Sequence, residues 1–307
     1  MPSPPGPADD AGSASPDLDA VRRFYDRNTS AFVTLGQGGH VGAIHRAVWG
    51  PGVASEEGAF HYVEDCIADA LRGLYPAPDG SRAAVPAPPL RVLDLGCGVG
   101  ASLCYLAGLL PFTGTGITLS PVQARVATER IAQLGLAERV QVIEGSYTAL
   151  PPSVGVVDAA YAIESFVHGP DPAQFFSEAA RVIRPGGILT ICDDIARPAD
   201  DPRAGRTLSR FQRGWHVHSL VAQAALQGLA AEAGFTHVAA TDLTPWLQLG
   251  RPRDVLVDLL LPLVAWLPLE HTRLGHLDGG RALQRGLKHG WLGYDLTVFR
   301  RAHGPTD

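Results

Sequence analysis

Residues Val92 to Leu106 read VLDLGCGVGASLCYL, and this stretch restricts the fold more sharply than any other in the chain. Val92, Leu93 and Leu95 form a short apolar run that carries an acid, Asp94, and a loop with Gly96, Gly98 and Gly100 follows at once. Residues 101–109 then read as a helix. A strand that turns through glycines into a helix lets backbone N–H groups approach a ligand and aims a helix N-terminus at it. A nucleotide-like ligand is the expectation.

Gly96, Gly98 and Ala101 satisfy the loose dinucleotide pattern G-x-G-x-x-G/A. A dinucleotide site also wants an acid about twenty residues further on for the ribose. The chain there offers Gly116-Ile117-Thr118-Leu119-Ser120, with no carboxylate. The acid instead precedes the loop, giving Asp94-x-Gly96-x-Gly98-x-Gly100, and this resembles motif I of the class I S-adenosylmethionine (SAM) methyltransferases. The resemblance implies a Rossmann-like α/β fold with a seven-stranded sheet and SAM as cofactor.

Composition narrows the partners. With 307 residues, 46% of them hydrophobic, the chain can bury a sizeable core. A formal net charge of −6 argues against nucleic acid and anionic membrane surfaces and favours a small-molecule ligand. The four cysteines, Cys66, Cys97, Cys104 and Cys192, show neither a disulfide framework nor zinc spacing, which fits a reducing cytoplasm. The most apolar run, residues 255–269, is too short for a membrane span and contains Asp258, Pro262 and Pro268.

Residues 1–16 are Pro, Ser, Ala, Gly and Asp without apolar periodicity and read as a disordered tail. Residues 17–75 read as a helical cap, with Asp17 capping a first helix and a second helix over 56–74. Residues 76–89 are a Pro, Ala and Gly linker. The core, 90–244, alternates strands and helices in the rhythm of a doubly wound sheet. Strands are expected at 90–95, 113–118, 139–144, 157–162, 187–193 and 236–242, with helices at 101–109, 121–135, 171–183 and about 218–233. A last strand at 291–300 opens the closing segment, 291–307. Between the last two strands lies an insertion, 245–290, whose apolar helix over 255–266 either lids the pocket or forms a contact between subunits of a homo-oligomer.

The order Gly116-Ile117-Thr118-Leu119-Ser120-Pro121-Val122-Gln123-Ala124 resembles the γ-tocopherol methyltransferases. Many class I enzymes carry an acid where Thr118 stands, so the resemblance hands the ribose or methionine end of SAM to Thr118, Ser120 and Gln123. Pro121 is also a favourable first helical residue, so part of this motif is helix initiation. By the same resemblance Ser146 and Tyr147 fall where adenine is contacted. Tyr25-Asp26 and the glycine- and aromatic-rich stretch after it resemble the cap that closes over SAM in sterol and tocopherol methyltransferases. Tyr25 and Ile163 complete the implied cofactor contacts.

Tyr161-Ala162-Ile163-Glu164-Ser165-Phe166-Val167-His168-Gly169-Pro170-Asp171 resembles the substrate side of sterol C-methyltransferases and tocopherol methyltransferases. Glu164 and His168 are four apart and would share one face of a helical turn at the carboxyl edge of the sheet. If the acceptor is an alkene, Glu164 stabilises the carbocation and then removes its proton. If it is a hydroxyl or ring nitrogen, His168 is the base, with a pKa near roughly 6.5. The reading favoured is C-methylation of a hydrophobic, prenyl or terpenoid-like acceptor in specialised metabolism, with O- or N-methylation of an aromatic or polyketide-like metabolite as the alternative.

Asp193, Asp194, His216 and His218 offer metal-ligand chemistry without a spacing that joins them, and no metal is assigned. A stretch near Asp242-Leu243-Thr244-Pro245 resembles geranyl diphosphate C-methyltransferases. A diphosphate acceptor would draw on Arg22, Arg23, Arg27, His45 and Arg46.

Overall fold

The apolar runs become strands β1 (Leu90–Leu95), β2 (Phe112–Thr118), β3 (Val140–Glu144), β4 (Val157–Ile163), β5 (Ile183–Ala196), β6 (Phe235–Asp242) and β7 (Leu292–Arg301). The structure is a computed structural model and describes residues 18–35, 45–75, 89–250 and 275–303. The strands pair in the order β3-β2-β1-β4-β5-β7-β6. β1 to β5 are joined in parallel, while β7 runs antiparallel to both β5 and β6. This is the Rossmann-like, seven-stranded architecture that the resemblance to class I methyltransferases implied.

The helices are α1 (Leu18–Leu35), α2 (Glu56–Arg72), α3 (Ala101–Leu109), α4 (Pro121–Gln133), α5 (Pro172–Val182), α6 (Pro202–Trp215), α7 (Gln223–Glu232) and α8 (Gly275–Lys288). Their starts follow from local chemistry. Ser55, Ser120, Asp171 and Asp201 each accept from the first turn that follows them, and proline opens α4, α5 and α6.

Strand alternation divides the core between the two sheet faces. Ala160 and Ala162 of β4 join a layer built on Phe166, Phe175, Phe176 and Phe299. Ala159 and Tyr161 join the opposite layer, with Ile67 and Leu71 of α2 and Leu103 and Leu106 of α3. With both faces covered, the carboxyl ends of β1, β2, β4 and β5 remain the place where a ligand meets the sheet.

Two segments lie over that edge. The segment leading into α2 is tied to α2 itself, where Val48 N–H donates to Ala59 O, and to the chain after β6, where Trp49 N–H donates to Trp246 O and Val48 bridges Leu247. α1 packs against α4.

The structure departs from the sequence reading at three elements, the first being α7, which starts at Gln223 rather than about 218 because Ala222 is extended and bridges Ala196. β5 runs from Ile183 to Ala196 rather than 187–193, because Ile183 pairs with Val157 of β4 at its start and β7 pairs with it as far as Ala196 at its end. The stretch before Trp215, expected as a loop, is α6; its buried Ala204, Thr207 and Phe211 lie among four arginines, and the helix packs on α8. Asp17 and the helix expected at 255–266 lie outside the described residues. Among those residues no helix is long and apolar enough to cross a membrane.

Candidate active site

The glycine turn is held from two sides. Gly96 and Cys97 N–H both donate to Ile117 O of β2, at 3.0 and 2.8 Å, and Ser165 Oγ donates to Leu95 O. Gly96 has φ +102°, and a Cβ there would stand 2.4 Å from Ser165 Cβ, so only glycine lets the turn close against the loop after β4. Gly98 and Gly100 also have positive φ, and Gly100 starts α3. Asp94 is buried beneath the turn and accepts from Tyr161 Oη at 2.9 Å. Burial pushes its carboxyl up to about 7 against the opposing pull of that hydrogen bond. Its visible role is to brace the end of β1.

At the end of β2, Thr118 Oγ1 donates to Gln123 Oε1 at 2.8 Å, and Ser120 Oγ accepts from Gln123 N–H at 3.1 Å. Ser120 Oγ in turn donates to Asp26 Oδ1 of α1. All three expected residues therefore stand together, with an acid from another element joined to them. After β3, Ser146 Oγ bonds Thr148 Oγ1 and accepts from Thr148 N–H. Tyr147 is buried, donates to Ser165 O at 2.7 Å and packs edge-on to Phe175. Tyr147 thus links the loops after β3 and β4 from within the core.

β4 ends at Ile163, and Glu164 follows in the left-handed region with φ +48°. Such a conformation costs a non-glycine residue about 1–3 kcal/mol and persists where surrounding contacts fix it. Here they do. Glu164 Oε1 accepts from Arg46 N–H, Arg46 Nε and Tyr294 Oη, each at 2.9 Å. Arg46 Nη1 reaches Asp194 Oδ1 at 2.9 Å, and its guanidinium lies 4.0 Å over the Tyr294 ring. Burial alone would raise the Glu164 carboxyl, but Arg46 and His45 hold it below its ordinary value.

The expected helical face shared by Glu164 and His168 is not formed. Phe166–His168 is a single 3₁₀ turn and Glu164 precedes it, so the two side chains take different partners. His168 Nδ1 stands 3.2 Å from His216 O, and its ring meets Tyr25 of α1 edge-on at 5.7 Å between centroids. A carbonyl oxygen only accepts, so Nδ1 carries the proton and Nε2 the lone pair. The pKa near 6.5 also needs correcting: burial lowers it to about 4, against the raising effects of the His216 carbonyl and Glu164.

Asp193 is buried, accepts from Val167 N–H and Asp194 N–H, and is pushed well up by burial and then by Asp194. It holds the 3₁₀ turn to β5. Among the described residues no cluster of three His, Cys, Asp or Glu side chains is placed to hold a metal.

Behind Arg46, His45 Nε2 lies 2.8 Å from Glu64 Oε1 of α2, which also accepts from Ser102 Oγ of α3 at 2.9 Å. Burial alone would lower the His45 pKa, but Glu64 raises it to about 9. Burial alone would raise the Glu64 carboxyl, but His45, His61 and Ser102 bring it to about 2. Two of the cations considered for a diphosphate are therefore already paired.

Sequence reasoning missed the network roles of Arg46, Asp194 and Tyr294, the Glu64 anchor and Asp26. Asp26 carried a signal, because it adjoins Tyr25 in the motif that resembled a cofactor cap. The set as a whole suits a cation with an adenosine end: carboxylates at the ends of β4 and β5, hydroxyl, amide and carboxylate groups at the end of β2, and a glycine turn between them.

A family model described as a methyltransferase domain matches residues 93–191. Methyltransferase GfsG of Streptomyces halstedii is 35% identical over 176 residues, covering 56% of this chain and 62% of that protein. Erythromycin 3''-O-methyltransferase of Saccharopolyspora erythraea is 30% identical over 218 residues, covering 67% of each. Among solved structures, geranyl diphosphate methyltransferase in complex with GPP and sinefungin superposes with a TM-score of 0.66 at 20% identity, over 94% of this chain and 100% of that one. The chain spans about half the length of the first curated relatives it matches.

Proposed function

Because the chain belongs to the class I SAM-dependent methyltransferases, we propose that it methylates a hydroxyl group of an uncharged, hydrophobic specialised metabolite of polyketide type, with His168 as the base. The observation that carries this reading is the hydrogen bond between His168 Nδ1 and His216 O. It fixes the tautomer in which Nε2 can take a proton, and burial keeps the ring neutral through the physiological range.

SAM supplies a methyl group on a sulfonium, which leaves as a neutral thioether. The residues of this chain have three tasks around it. His168 Nε2 receives the hydroxyl proton as the new O–C bond forms. The hydroxyl becomes strongly acidic only at that point, so a base of low resting pKa suffices. Glu164 places fixed negative charge at the end of β4, with Arg46 and Tyr294 holding its orientation. Tyr25 lies against the His168 ring and shields it from water.

Alkene C-methylation, favoured by the sequence, draws less support. Glu164 Oε1 already accepts three hydrogen bonds, and Arg46 keeps the carboxyl acidic, which makes it a weak proton acceptor. A diphosphate acceptor is also less well served, since His45 is paired with Glu64 and Arg46 with Glu164 and Asp194. A relative 30% identical and matched over 67% of its own length is named erythromycin 3''-O-methyltransferase.

The test is turnover against hydroxylated macrolactones, glycosylated polyketides, phenols and prenyl diphosphates, with His168→Ala and Glu164→Gln beside the wild type. The proposal expects O-methylated products lost mainly with His168→Ala. Methylation of prenyl carbons, lost mainly with Glu164→Gln, would reject it.

A further inference from the structure

Ribose presents two hydroxyl donors, and open α/β nucleotide sites meet them with a carboxylate beyond the second strand. In this chain the strand ends in Thr118 and the following turn carries no acid. The structure brings one there from another element. Asp26, in the third turn of α1, accepts from Ser120 Oγ, two residues beyond the end of β2.

We infer that Asp26 is the ribose-binding acid of the cofactor site, contributed by α1 in place of the missing strand-end carboxylate. Ser120 Oγ accepts from Gln123 N–H to cap α4, so its own proton is directed to Asp26. A carboxylate offers about four lone-pair sites, and the Ser120 bond uses one. The N-terminus of α4 beside it favours negative charge. Thr118 Oγ1 occupies the carbonyl oxygen of Gln123, which leaves the Gln123 amide group as a donor at the same strand end. Donor and acceptor for a diol therefore stand together. Glu144, opposite Thr118 in the β2–β3 register, is the other nearby acid, and it is exposed on an edge strand.

The placement has a consequence for the acceptor side. Tyr25, the residue before Asp26, lies against His168. Holding the ribose through Asp26 fixes the same turn of α1 that covers the base. The inference does not depend on which acceptor is methylated.

Calorimetry with S-adenosylhomocysteine and its 2′-deoxy and 3′-deoxy analogues tests it on wild type, Asp26→Asn and Glu144→Gln. Asparagine keeps the shape and an oxygen that can accept from Ser120. Asp26→Asn is expected to weaken S-adenosylhomocysteine about tenfold to a hundredfold, the range for a hydrogen bond to a charged group. The wild type is expected to lose a similar factor on the analogue lacking the bonded hydroxyl, and Asp26→Asn to bind that analogue no worse than S-adenosylhomocysteine itself. Equal weakening of all three ligands by Asp26→Asn would show only a docking role for α1 and overturn the inference. So would unchanged affinity, or a hydroxyl-dependent loss in Glu144→Gln instead. Failure of the wild type to bind any of the three would reject the cofactor site as a whole.

Discussion

Arg46 reaches one oxygen of Glu164 twice, its backbone N–H and its Nε both 2.9 Å from Oε1. The same guanidinium holds Asp194, and the three residues come from a connecting segment, the end of β4 and β5. Removing the cation would leave two largely buried carboxylates without their partner. Arg46→Met is expected to cost about 3–5 kcal/mol in denaturant unfolding. The double variant with Glu164→Gln should lose less than the sum of the two single changes, because they share one interaction. Strict additivity would show that the pair is not coupled.

Tyr294 contributes to Glu164 through its hydroxyl and to Arg46 through its ring. Tyr294→Phe keeps the ring and deletes one charge-assisted hydrogen bond, so a loss of about 1–3 kcal/mol is expected. Tyr294→Leu removes both contacts and should cost more. Equal unfolding midpoints for the two variants would contradict the ring contribution.

The buried pair of His45 and Glu64 sets a pH window for stability. The His45 pKa is raised from 6.5 to about 9, so its contribution is whole below 6.5 and lost as pH rises through about 9. The Glu64 pKa is lowered from 4.5 to about 2, so its contribution is whole above 4.5 and lost as pH falls through about 2. Asp94, raised from 3.8 to about 7 chiefly by burial, also removes stability as pH climbs; burial acts in wild type and variant alike, and only the smaller part that the Glu64 charge adds is lost with Glu64→Gln. The difference in unfolding free energy between wild type and Glu64→Gln should be greatest between pH 4.5 and 6.5 and shrink toward pH 9. A difference that does not vary with pH would count against the ion pair.

Much of the fold was legible because its signals are local. The glycine turn after Leu95, the Ser120-Pro121 start of α4 and the Asp171-Pro172 start of α5 are each written in a few adjacent residues. Asp201-Pro202 is the same kind of start, followed by Ala204, Thr207 and Phe211 at helical spacing. The arginines between them hid α6, whose apolar face packs on the distant α8. The far end of β5 was hidden for a related reason, since β7 sets it from about a hundred residues away.

In the site, Glu164 and His168 could be picked out as residues, but not the directions they point. A left-handed backbone at Glu164 separates them, and a sequence pattern does not report it. Arg46 looked like a phosphate ligand because its partners lie 118 and 148 residues downstream. Ser120 kept the helix-starting role that its motif allowed and gained Asp26 as a neighbour from α1.

The pH dependence of turnover follows from the His168 environment. With its pKa lowered to about 4, kcat/KM for the acceptor should hold level through neutral pH, and its acid limb should fall near 4 rather than near 6.5. His168→Ala is expected to lower kcat by about 10²–10⁴-fold while SAM affinity holds. A wild-type acid limb at 6.5 would mean that the imidazole is more solvated in the working enzyme than burial here implies.

The most direct test of the central claim is carbon NMR of the product formed from methyl-labelled SAM on the best acceptor found. A new methyl resonance in the methoxy region, abolished in His168→Ala and retained at reduced yield in Glu164→Gln, is the result this account predicts. A new methyl bonded to carbon, abolished in Glu164→Gln and retained in His168→Ala, would contradict it and return Glu164 to the role of the base.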